Sequence, residues 1–254
     1  MDSDESRRSI VERITKARAP ADSPAVCGVC GGQAFGQYQV LDPRLIADWQ
    51  IDAAEAAYIE RQQGAHCLDC GANLRSMVLA RAIASFLGHL GPLRPIVEAS
   101  PPTARLLEIN AAGSLTPLLR RFPHYVFGAY PEVDLQALPF ADQAFDMVVH
   151  SDTLEHVPDP VRALEECRRV LRPGGACLYT VPIIVGRLTR GRQGLPKSFH
   201  GPYEERAEDH VVVTEYGADA WTHAARAGFA RTTLDVLDYP TAIAITAWNG
   251  VAVP

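Results

Sequence analysis

The fold of this chain is decided by residues 144–182, which read AFDMVVHSDTLEHVPDPVRALEECRRVLRPGGACLYTVP. The first apolar run, residues 145–149, is short and rich in β-branched side chains, as is typical of a buried strand. Asp159 stands directly before Pro160, which predicts a helix N-cap followed by proline at the first helical position. A Pro-Gly-Gly sequence ends that helix, and residues 176–181 predict a second buried strand. Strand, helix and strand in this order predict a right-handed crossover and a parallel sheet.

Polar side chains follow the first of these strands, where a parallel sheet binds its ligands, outside the carboxyl ends of the strands. His150, Ser151 and Asp152 come directly after the apolar run, and the Glu155-His156 pair begins the next turn. Imidazole titrates near neutral pH, so His156 is a candidate general base and His150 a second one. The alternative for His156 is a structural role in ordering the loop.

The stretch of residues 134–181 resembles the second half of the class I S-adenosylmethionine-dependent methyltransferases of the type 11 group. The family pattern LPF…FDMVVHSDTLEHVPDP…ECRRVLRPGG runs through it nearly unbroken. The resemblance implies an α/β fold with a Rossmann-like seven-stranded sheet, six strands parallel and one antiparallel at the edge, flanked by helices. The alternative is another doubly wound enzyme with the same strand–helix–strand pattern.

The composition of the chain argues against several classes of protein. The chain has 254 residues, a net charge of −6, and only two lysines, Lys16 and Lys197. An acidic chain without a basic run is a poor general binder of nucleic acid. There is no apolar run of ~18 residues, which a membrane span requires. The charged N-terminus shows no secretory signal, so a cytoplasmic protein is expected.

Two CxxC pairs hold four of the six cysteines, Cys27 with Cys30 and Cys67 with Cys70. Without an export signal, metal binding is favoured over disulfides. Each pair brings two sulfurs to one side of a tight turn, and four thiolates in a tetrahedron suit structural Zn²⁺. His66 adjoins the second pair and is an alternative ligand. Reduced thiols in a loop-rich cap remain the other interpretation, whereas a redox dithiol is disfavoured because neither pair opens a helix after a strand.

The segment around the cysteines predicts a cap with its own helices. Residues 43–62 show helical patterning, and residues 76–90 form a strongly amphipathic helix. Residues 67–81 resemble a zinc-knuckle cap that precedes some bacterial methyltransferases, with the pattern CxxCGxxxRxxxLA. Arg75 either faces the mouth of the active site or is a solvated residue at the helix start.

Three segments follow from these features. Residues 1–24 are polar and predict a flexible arm, and residues 25–92 predict the zinc-ribbon cap with its connecting helix. A proline-rich linker leads into the methyltransferase domain, residues 93–254.

The resemblance also implies where the cofactor lies. Residues 105–109 and 124–127 are the first two strands of the sheet domain. Glu108 occupies the acid position that precedes a glycine-rich loop, and Asn110 to Gly113 form that loop. Of the family's glycines only Gly113 remains, although the two alanines before it are small enough for close approach of the cofactor's methionyl part.

Further cofactor positions come after these strands. The family usually carries a ribose-binding acid at the end of the second strand, and here Glu132 lies slightly downstream. Asp134 would accept from the adenine amino group, and Leu135 would offer a backbone N–H and an apolar contact. Ser151 and Asp152 would face the sulfonium. The alternative for Asp134 is a loop cap.

A long irregular segment follows the second strand of the decisive stretch, and such loops are commonly lids. We expect substrate contacts from Arg187, Arg190 and Arg192, which would meet a phosphate or carboxylate on the acceptor. Tyr203 is a further contact, and His200 is a third candidate base.

The last part of the chain predicts a helix at residues 214–227 and strands at residues 230–236 and 242–248. In the resembled fold these strands form an antiparallel hairpin at one edge. Cys167 and Cys177 lie in predicted core elements and are interpreted as core thiols.

The predicted function is methyl transfer from S-adenosylmethionine to an oxygen or nitrogen of a small-molecule, saccharide or lipid-linked acceptor, with S-adenosylhomocysteine as product. One alternative is an RNA methyltransferase that holds its substrate with the zinc ribbon. The other is a non-catalytic binding protein with an eroded cofactor site.

Overall fold

A computed structural model describes residues 24–41, 43–199 and 210–250 of the chain. The predicted arm of residues 1–24 lies almost wholly outside these ranges. Two predicted site residues also lie outside them: His200 and Tyr203. Within the described ranges, no helix combines the length and the apolar character needed to cross a lipid bilayer.

The N-terminal third consists of helices and two short strands. In chain order they are β1 (Phe35–Gln37), α1 (Pro43–Trp49), α2 (Ala53–Gly64), β2 (Ala65–Cys67), α3 (Leu74–Phe86) and α4 (Leu93–Ala99). β1 and β2 pair antiparallel. The helix predicted over residues 43–62 is divided into α1 and α2, because Gln50 takes a left-handed conformation (φ 51°) and Asp52 caps α2.

The remaining elements build the sheet domain. In chain order they are β3 (Arg105–Ile109), α5 (Thr116–Leu119), β4 (His124–Gly128), β5 (Phe145–Ser151), α6 (Pro160–Val170), β6 (Leu171–Thr180), β7 (Ile183–Ile184), β8 (Arg190–Gly191), β9 (Thr214–Gly217), α7 (Thr222–Arg226), β10 (Arg231–Leu237) and β11 (Ala242–Trp248). Short 3₁₀ turns, Gly113–Leu115 and Leu154–His156, follow β3 and β5.

The central sheet has the strand order β10-β11-β6-β5-β3-β4. β6, β5, β3 and β4 are parallel to one another, whereas β11 is antiparallel to both β6 and β10. The predicted α/β, Rossmann-like class is confirmed. The predicted strand count is corrected: the described residues form six strands in this sheet rather than seven, because the chain between β4 and β5 forms turns only. The antiparallel strand β11 lies inside the sheet, with β10 at its edge.

The decisive stretch folds as its sequence predicts. Asp159 Oδ1 accepts from the backbone N–H of Arg162 at 3.0 Å, and Pro160 is the first residue of α6. The Pro-Gly-Gly sequence forms an irregularity within β6, because Leu171 pairs with Phe145 while the next ladder pairs lie beyond the glycines. β5 and β6 are therefore parallel neighbours joined by α6.

The segment after β6 differs from its prediction. A second sheet of order β7-β9-β8 forms there, so the segment expected to be irregular contains the short strands β7 and β8. The helix predicted over residues 214–227 is instead the strand β9 followed by the short helix α7. The apolar spacing favoured a helix, but pairing with β7 and β8 gives these residues a ladder that a lone helix would lack.

Two apolar cores cover the faces of the central sheet. One contains α3 and α4 packed on the sheet, with Met77, Val78 and Ile83 fully or almost fully buried. The other contains α6 and α7 on the opposite face, around Leu164 and Cys177. The predicted connecting helix α3 is thus part of the core of the sheet domain, and it carries the cysteine pairs to the carboxyl edge of the sheet.

Candidate cofactor edge and metal centre

The loop after β3 is fastened by Asn110, which has a left-handed backbone (φ 53°). Its backbone N–H donates to the carbonyl of Gly128 at 2.8 Å, and its Oδ1 accepts from the N–H of Tyr130 at 3.1 Å. Its Nδ2 donates to Thr153 Oγ1 at 3.4 Å. Asparagine is among the residues that tolerate this conformation best after glycine. One side chain therefore ties together the segments that follow β3, β4 and β5.

Glu108 lies beneath this loop rather than at the open edge. Its carboxylate is fully buried and accepts from the N–H of Ala112 (2.8 Å), from Thr116 Oγ1 (2.5 Å) and from the Tyr125 hydroxyl (2.6 Å). Burial and the bond to Glu108 raise the pKa of Tyr125 to about 12. Gly113 follows with φ 58°. Glu108 thus shapes the predicted cofactor loop from below.

The loop after β4 contains the three residues predicted to meet ribose and adenine. Glu132 is exposed, and Leu135 is buried against the α6 side of the sheet. Asp134 Oδ1 accepts from the backbone N–H of Gln136 at 2.8 Å, and the Gln136 side chain accepts in turn from the N–H of Asp159 at 3.0 Å. Asp134 therefore caps this loop, as the alternative interpretation expects, while its contact with the cofactor stays a prediction.

The end of β5 brings Ser151 and Asp152 to the same edge. Ser151 Oγ lies 2.8 Å from Thr180 Oγ1, and the Asp152 N–H donates to the Thr180 carbonyl at 3.0 Å. Asp152 has φ 47°, and its Oδ2 lies 2.6 Å from Nη2 of Arg75 at the start of α3. Of the two interpretations of Arg75, the one that places it toward this edge fits the geometry.

His150 does not fit the role of a catalytic base. It is fully buried, stacks on Tyr179 with ring centroids 5.0 Å apart, and has Nε2 3.6 Å from Cys177 Sγ. Burial lowers its pKa to about 4, although the charge of Glu155 acts in the opposite direction. The alternation of side chains along β5 turns His150 onto the face covered by α6, away from the edge. The prediction that counted it as a candidate base is therefore corrected.

His156 lies in the 3₁₀ turn after β5 and is half-buried. Its Nδ1 is 3.0 Å from the carbonyl of Val211, so Nδ1 carries the hydrogen and donates. Its Nε2 lies 3.7 Å from Glu155 Oε1. The predicted loop-ordering role is present, and the base role of His156 stays a prediction. The third candidate base, His200, lies outside the described residues.

A pocket opens beside this turn, between the N-terminal helices and the second sheet. Its apolar lining comes mainly from Trp49, Ile59, Ile184, Val212 and Tyr216. Its polar lining includes Glu155, whose side chain is only 1% exposed. The sequence did not reveal this pocket, because three distant segments form its walls; the local signal was the apolar stripe of residues 43–62, which was assigned to the cap.

The lid arginines are ion-paired with the chain itself. Arg187 forms two bonds to Glu55 of α2, at 2.9 and 2.6 Å. Arg190 and Arg192 both pair with Glu215 of β9. Arg187 thus connects the second sheet to α2, whereas Arg190 and Arg192 form their ion pairs within that sheet. Contact of these arginines with a phosphate or carboxylate of the acceptor stays a prediction.

The four cysteines of the CxxC pairs form one cluster. Cys27 Sγ lies 3.7 Å from Cys70 Sγ, Cys30 Sγ lies 3.6 Å from Cys67 Sγ, and all four sulfurs lie within 4.8 Å of one another. A Zn–S bond of about 2.3 Å places the sulfurs of a tetrahedral site about 3.8 Å apart, so the cluster fits zinc.

Each cysteine pair sits in a turn that only a small, flexible residue completes. Gly31 and Gly71 follow the two pairs with φ 86° and 73°, and their N–H groups donate to the carbonyls of Cys27 and Cys67. Burial raises the pKa of Cys27 to about 11, so a cation is needed to hold it as a thiolate. His66 bonds instead to the Gly64 carbonyl at 2.9 Å and is not in the cluster, which leaves four thiolates as the donor set.

The chain is similar to several known proteins. The family described as "Methyltransferase domain" matches residues 115–179. An "Uncharacterized methyltransferase" of Mycolicibacterium vanbaalenii is 29% identical over 181 residues, which is 70% of this chain and 64% of that protein. One of Mycobacteroides abscessus is 34% identical over 96 residues, 36% of this chain and 37% of that protein. A crystal structure of a SAM-dependent methyltransferase from Methanosarcina mazei shows 14% identity and a TM-score of 0.39, covering 62% of this chain and 98% of that one.

The match to the methyltransferase domain covers β5, α6 and most of β6, and the chain is similar in sequence to proteins described as methyltransferases. The chain spans less than two thirds of the length of both relatives.

Proposed function

We propose that this protein transfers a methyl group from S-adenosylmethionine to an oxygen or nitrogen of a small-molecule, saccharide or lipid-linked acceptor. The observation that carries this proposal is the edge at Asn110, where the segments after β3, β4 and β5 are tied together with a left-handed turn in place of the missing glycine. A loop with that backbone geometry keeps the close approach that a nucleoside cofactor requires.

The residues proposed to hold the cofactor lie along this edge. Asn110 and Gly113 would border its methionyl part, with Glu108 supporting their loop. Toward the nucleoside, Glu132 would meet the ribose, and Asp134 and Leu135 would meet the adenine. Two residues after β5 complete the set: Ser151 and Asp152.

The chemistry needs alignment more than covalent assistance. The cofactor supplies an electrophilic methyl group when bound, and the protein must align the acceptor and exclude water. The apolar pocket beside Glu155 supports a small acceptor held next to the edge. A protonated acceptor also needs a base, and His156 Nε2, next to the buried Glu155 carboxylate, is the proposed group.

A structural zinc ion is part of the proposal. The cluster of Cys27, Cys30, Cys67 and Cys70 would hold it with four thiolates, which leaves no open position for water or substrate. The ion would stabilise the N-terminal segment rather than take part in methyl transfer.

The test has two steps. Calorimetric titration with S-adenosylhomocysteine is expected to show one site per chain, and incubation with labelled S-adenosylmethionine and a panel of hydroxyl- and amine-bearing compounds is expected to label one of them. Absence of cofactor binding would overturn the proposal in favour of a non-catalytic binding protein. Preferential labelling of an RNA pool would favour the RNA methyltransferase.

A further inference from the structure

The ion pair between Arg75 and Asp152 joins the cysteine segment to the end of β5. Arg75 Nη2 lies 2.6 Å from Asp152 Oδ2, and the two side chains are 13% and 26% exposed. Neither group is on the outer surface, and neither is sealed in a core. The pair therefore lies where a ligand at the edge of the sheet can reach both charges.

The neighbours of this pair are the loops proposed to border the cofactor. Ser76, the residue after Arg75, has its Oγ 3.9 Å from where a Cβ on Gly113 would stand. On the other side, Thr153 follows Asp152 and binds Asn110. The first turn of α3 thus lies against the loop after β3, and the ion pair spans from there to the end of β5.

A guanidinium beside a carboxylate is complementary to an α-amino-acid zwitterion. The ligand's α-carboxylate matches the fork of Arg75, and its α-ammonium matches the carboxylate of Asp152. We infer that the Arg75–Asp152 pair binds the amino-acid end of the cofactor, with Arg75 on the α-carboxylate and Asp152 on the α-ammonium. This inference rests on the proposed function, because it takes S-adenosylmethionine as the ligand of this edge.

When the cofactor binds, each charge of the Arg75–Asp152 pair exchanges its partner, and no charge is left without one. A guanidinium group is a cation, so the poorly solvated one of Arg75 requires an anion beside it. Before the cofactor arrives, Asp152 is that anion. After it arrives, the α-carboxylate takes this place on the guanidinium while Asp152 gains the ammonium. A ligand that lacks the zwitterion would not separate the pair.

The experiment compares two nucleosides that differ only in this end. S-adenosylhomocysteine carries the amino acid, whereas 5′-methylthioadenosine keeps the adenosine and a thioether without it. Binding of both is measured by calorimetry for the unaltered chain and for the Arg75→Met, Arg75→Lys and Asp152→Asn variants. Arg81→Met, on the exposed face of the same helix, is the matched control.

The expected result is a loss of S-adenosylhomocysteine affinity of roughly tenfold or more in Arg75→Met and in Asp152→Asn, with methylthioadenosine affinity changed by less than about twofold. Arg75→Lys keeps the charge and should lie between these variants and the unaltered chain, and Arg81→Met should leave both affinities unchanged. The ratio of the two affinities is insensitive to partial misfolding, because misfolding lowers both.

Two results would overturn the inference while the proposed function stands: an equal loss for both nucleosides, or an unchanged affinity for S-adenosylhomocysteine in the Arg75 and Asp152 variants. If the unaltered chain binds neither nucleoside, the proposed function itself fails, and the inference fails with it.

Discussion

At the residue scale, Asn110 occupies the position where the resembled family places a glycine. Its φ of 53° and its three hydrogen bonds show two separate contributions, a backbone conformation and a side-chain bridge. Glycine would supply only the first, and alanine would supply neither. Substitutions of Asn110 therefore test directly whether the loop after β3, which lacks most of the family's glycines, still depends on a left-handed turn.

Replacing Asn110 with glycine and with alanine should separate these contributions. Both variants lose the bridge, but only Asn110→Ala must hold a Cβ in the left-handed region, which costs about 1 kcal/mol or more. We expect Asn110→Ala to be less stable than Asn110→Gly by that amount in urea unfolding. Equal stability of the two variants would contradict a strained turn at this position.

His150 is a buried group whose titration affects the fold. Burial lowers its pKa from 6.5 to about 4, so the folded chain holds it neutral. The unfolded chain takes up this proton at higher pH. Between these two values the unfolded state binds more protons, and stability therefore falls as the pH falls. Above the unfolded value the effect is absent.

The His150→Phe variant should remove this pH dependence. Between about pH 7.5 and about pH 5 the unaltered chain should lose about 2 kcal/mol more unfolding free energy than the variant. Urea unfolding at both pH values measures the difference. His89→Gln, at an exposed position, is the control and should keep the loss. The same pH slope in His150→Phe as in the unaltered chain would show that His150 is not the group responsible.

At the element scale, the two cysteine turns and α3 form one structural unit. Cys70 ends the second turn, Asn73 caps α3 by accepting from the N–H of Ser76 at 2.9 Å, and Arg75 lies in the first turn of the helix. The later turns of α3 are buried in the sheet core. The sulfur cluster therefore fixes one end of a helix whose other end is held by apolar packing.

Removing the metal should separate these two supports. The protein as purified should contain about one zinc ion per chain, and chelation or Cys70→Ser should expose residues 25–76 to hydrogen exchange, since a closed thiolate site supplies folding energy directly. β3, β5 and β6 should keep their protection. Cys167→Ala, which removes a thiol from the core around α6, is the control and should retain the zinc. Equal loss of protection throughout the chain would contradict a local role for the ion.

Local signals explain which elements the sequence predicted. α6 was predictable because Asp159 and Pro160 specify its start by their own chemistry. The cysteine cluster was predictable because spacing and turn glycines act over a few residues. β9 was not, because its ladder partners are set by tertiary pairing rather than by local spacing.

The same distinction applies within the site. His150 was predicted at the open edge of the sheet, whereas it is buried under α6. Successive side chains of a strand point to opposite faces, and the sequence does not show which of the last residues of β5 the helix covers. The ion pairs of the lid arginines were not predictable, because their partners, Glu55 and Glu215, lie far away in the sequence.

At the scale of the whole molecule, α2 connects the N-terminal segment to the rest of the chain. Arg61 of α2 pairs with Asp238 near the tip of the β10–β11 hairpin, and Gln62 Nε2 donates to the Thr241 carbonyl. Arg187 and Glu55 connect the same helix to the second sheet. The pocket beside Glu155 is closed on one side by these helices, so an acceptor bound there would contact both halves of the chain.

Trp49 tests this shared pocket, because it lies in α1 and yet lines a cavity next to the end of β5. Trp49→Ala removes apolar contact with a bound acceptor and none with the nucleoside. The KM for the acceptor found in the labelling screen should rise roughly tenfold, while the Kd for S-adenosylhomocysteine changes by less than about twofold. Trp221→Ala, at a site 45% exposed, is the matched control and should change neither value. A weaker nucleoside affinity with an unchanged KM would assign the pocket to the cofactor, and the N-terminal helices would then have no part in choosing the acceptor.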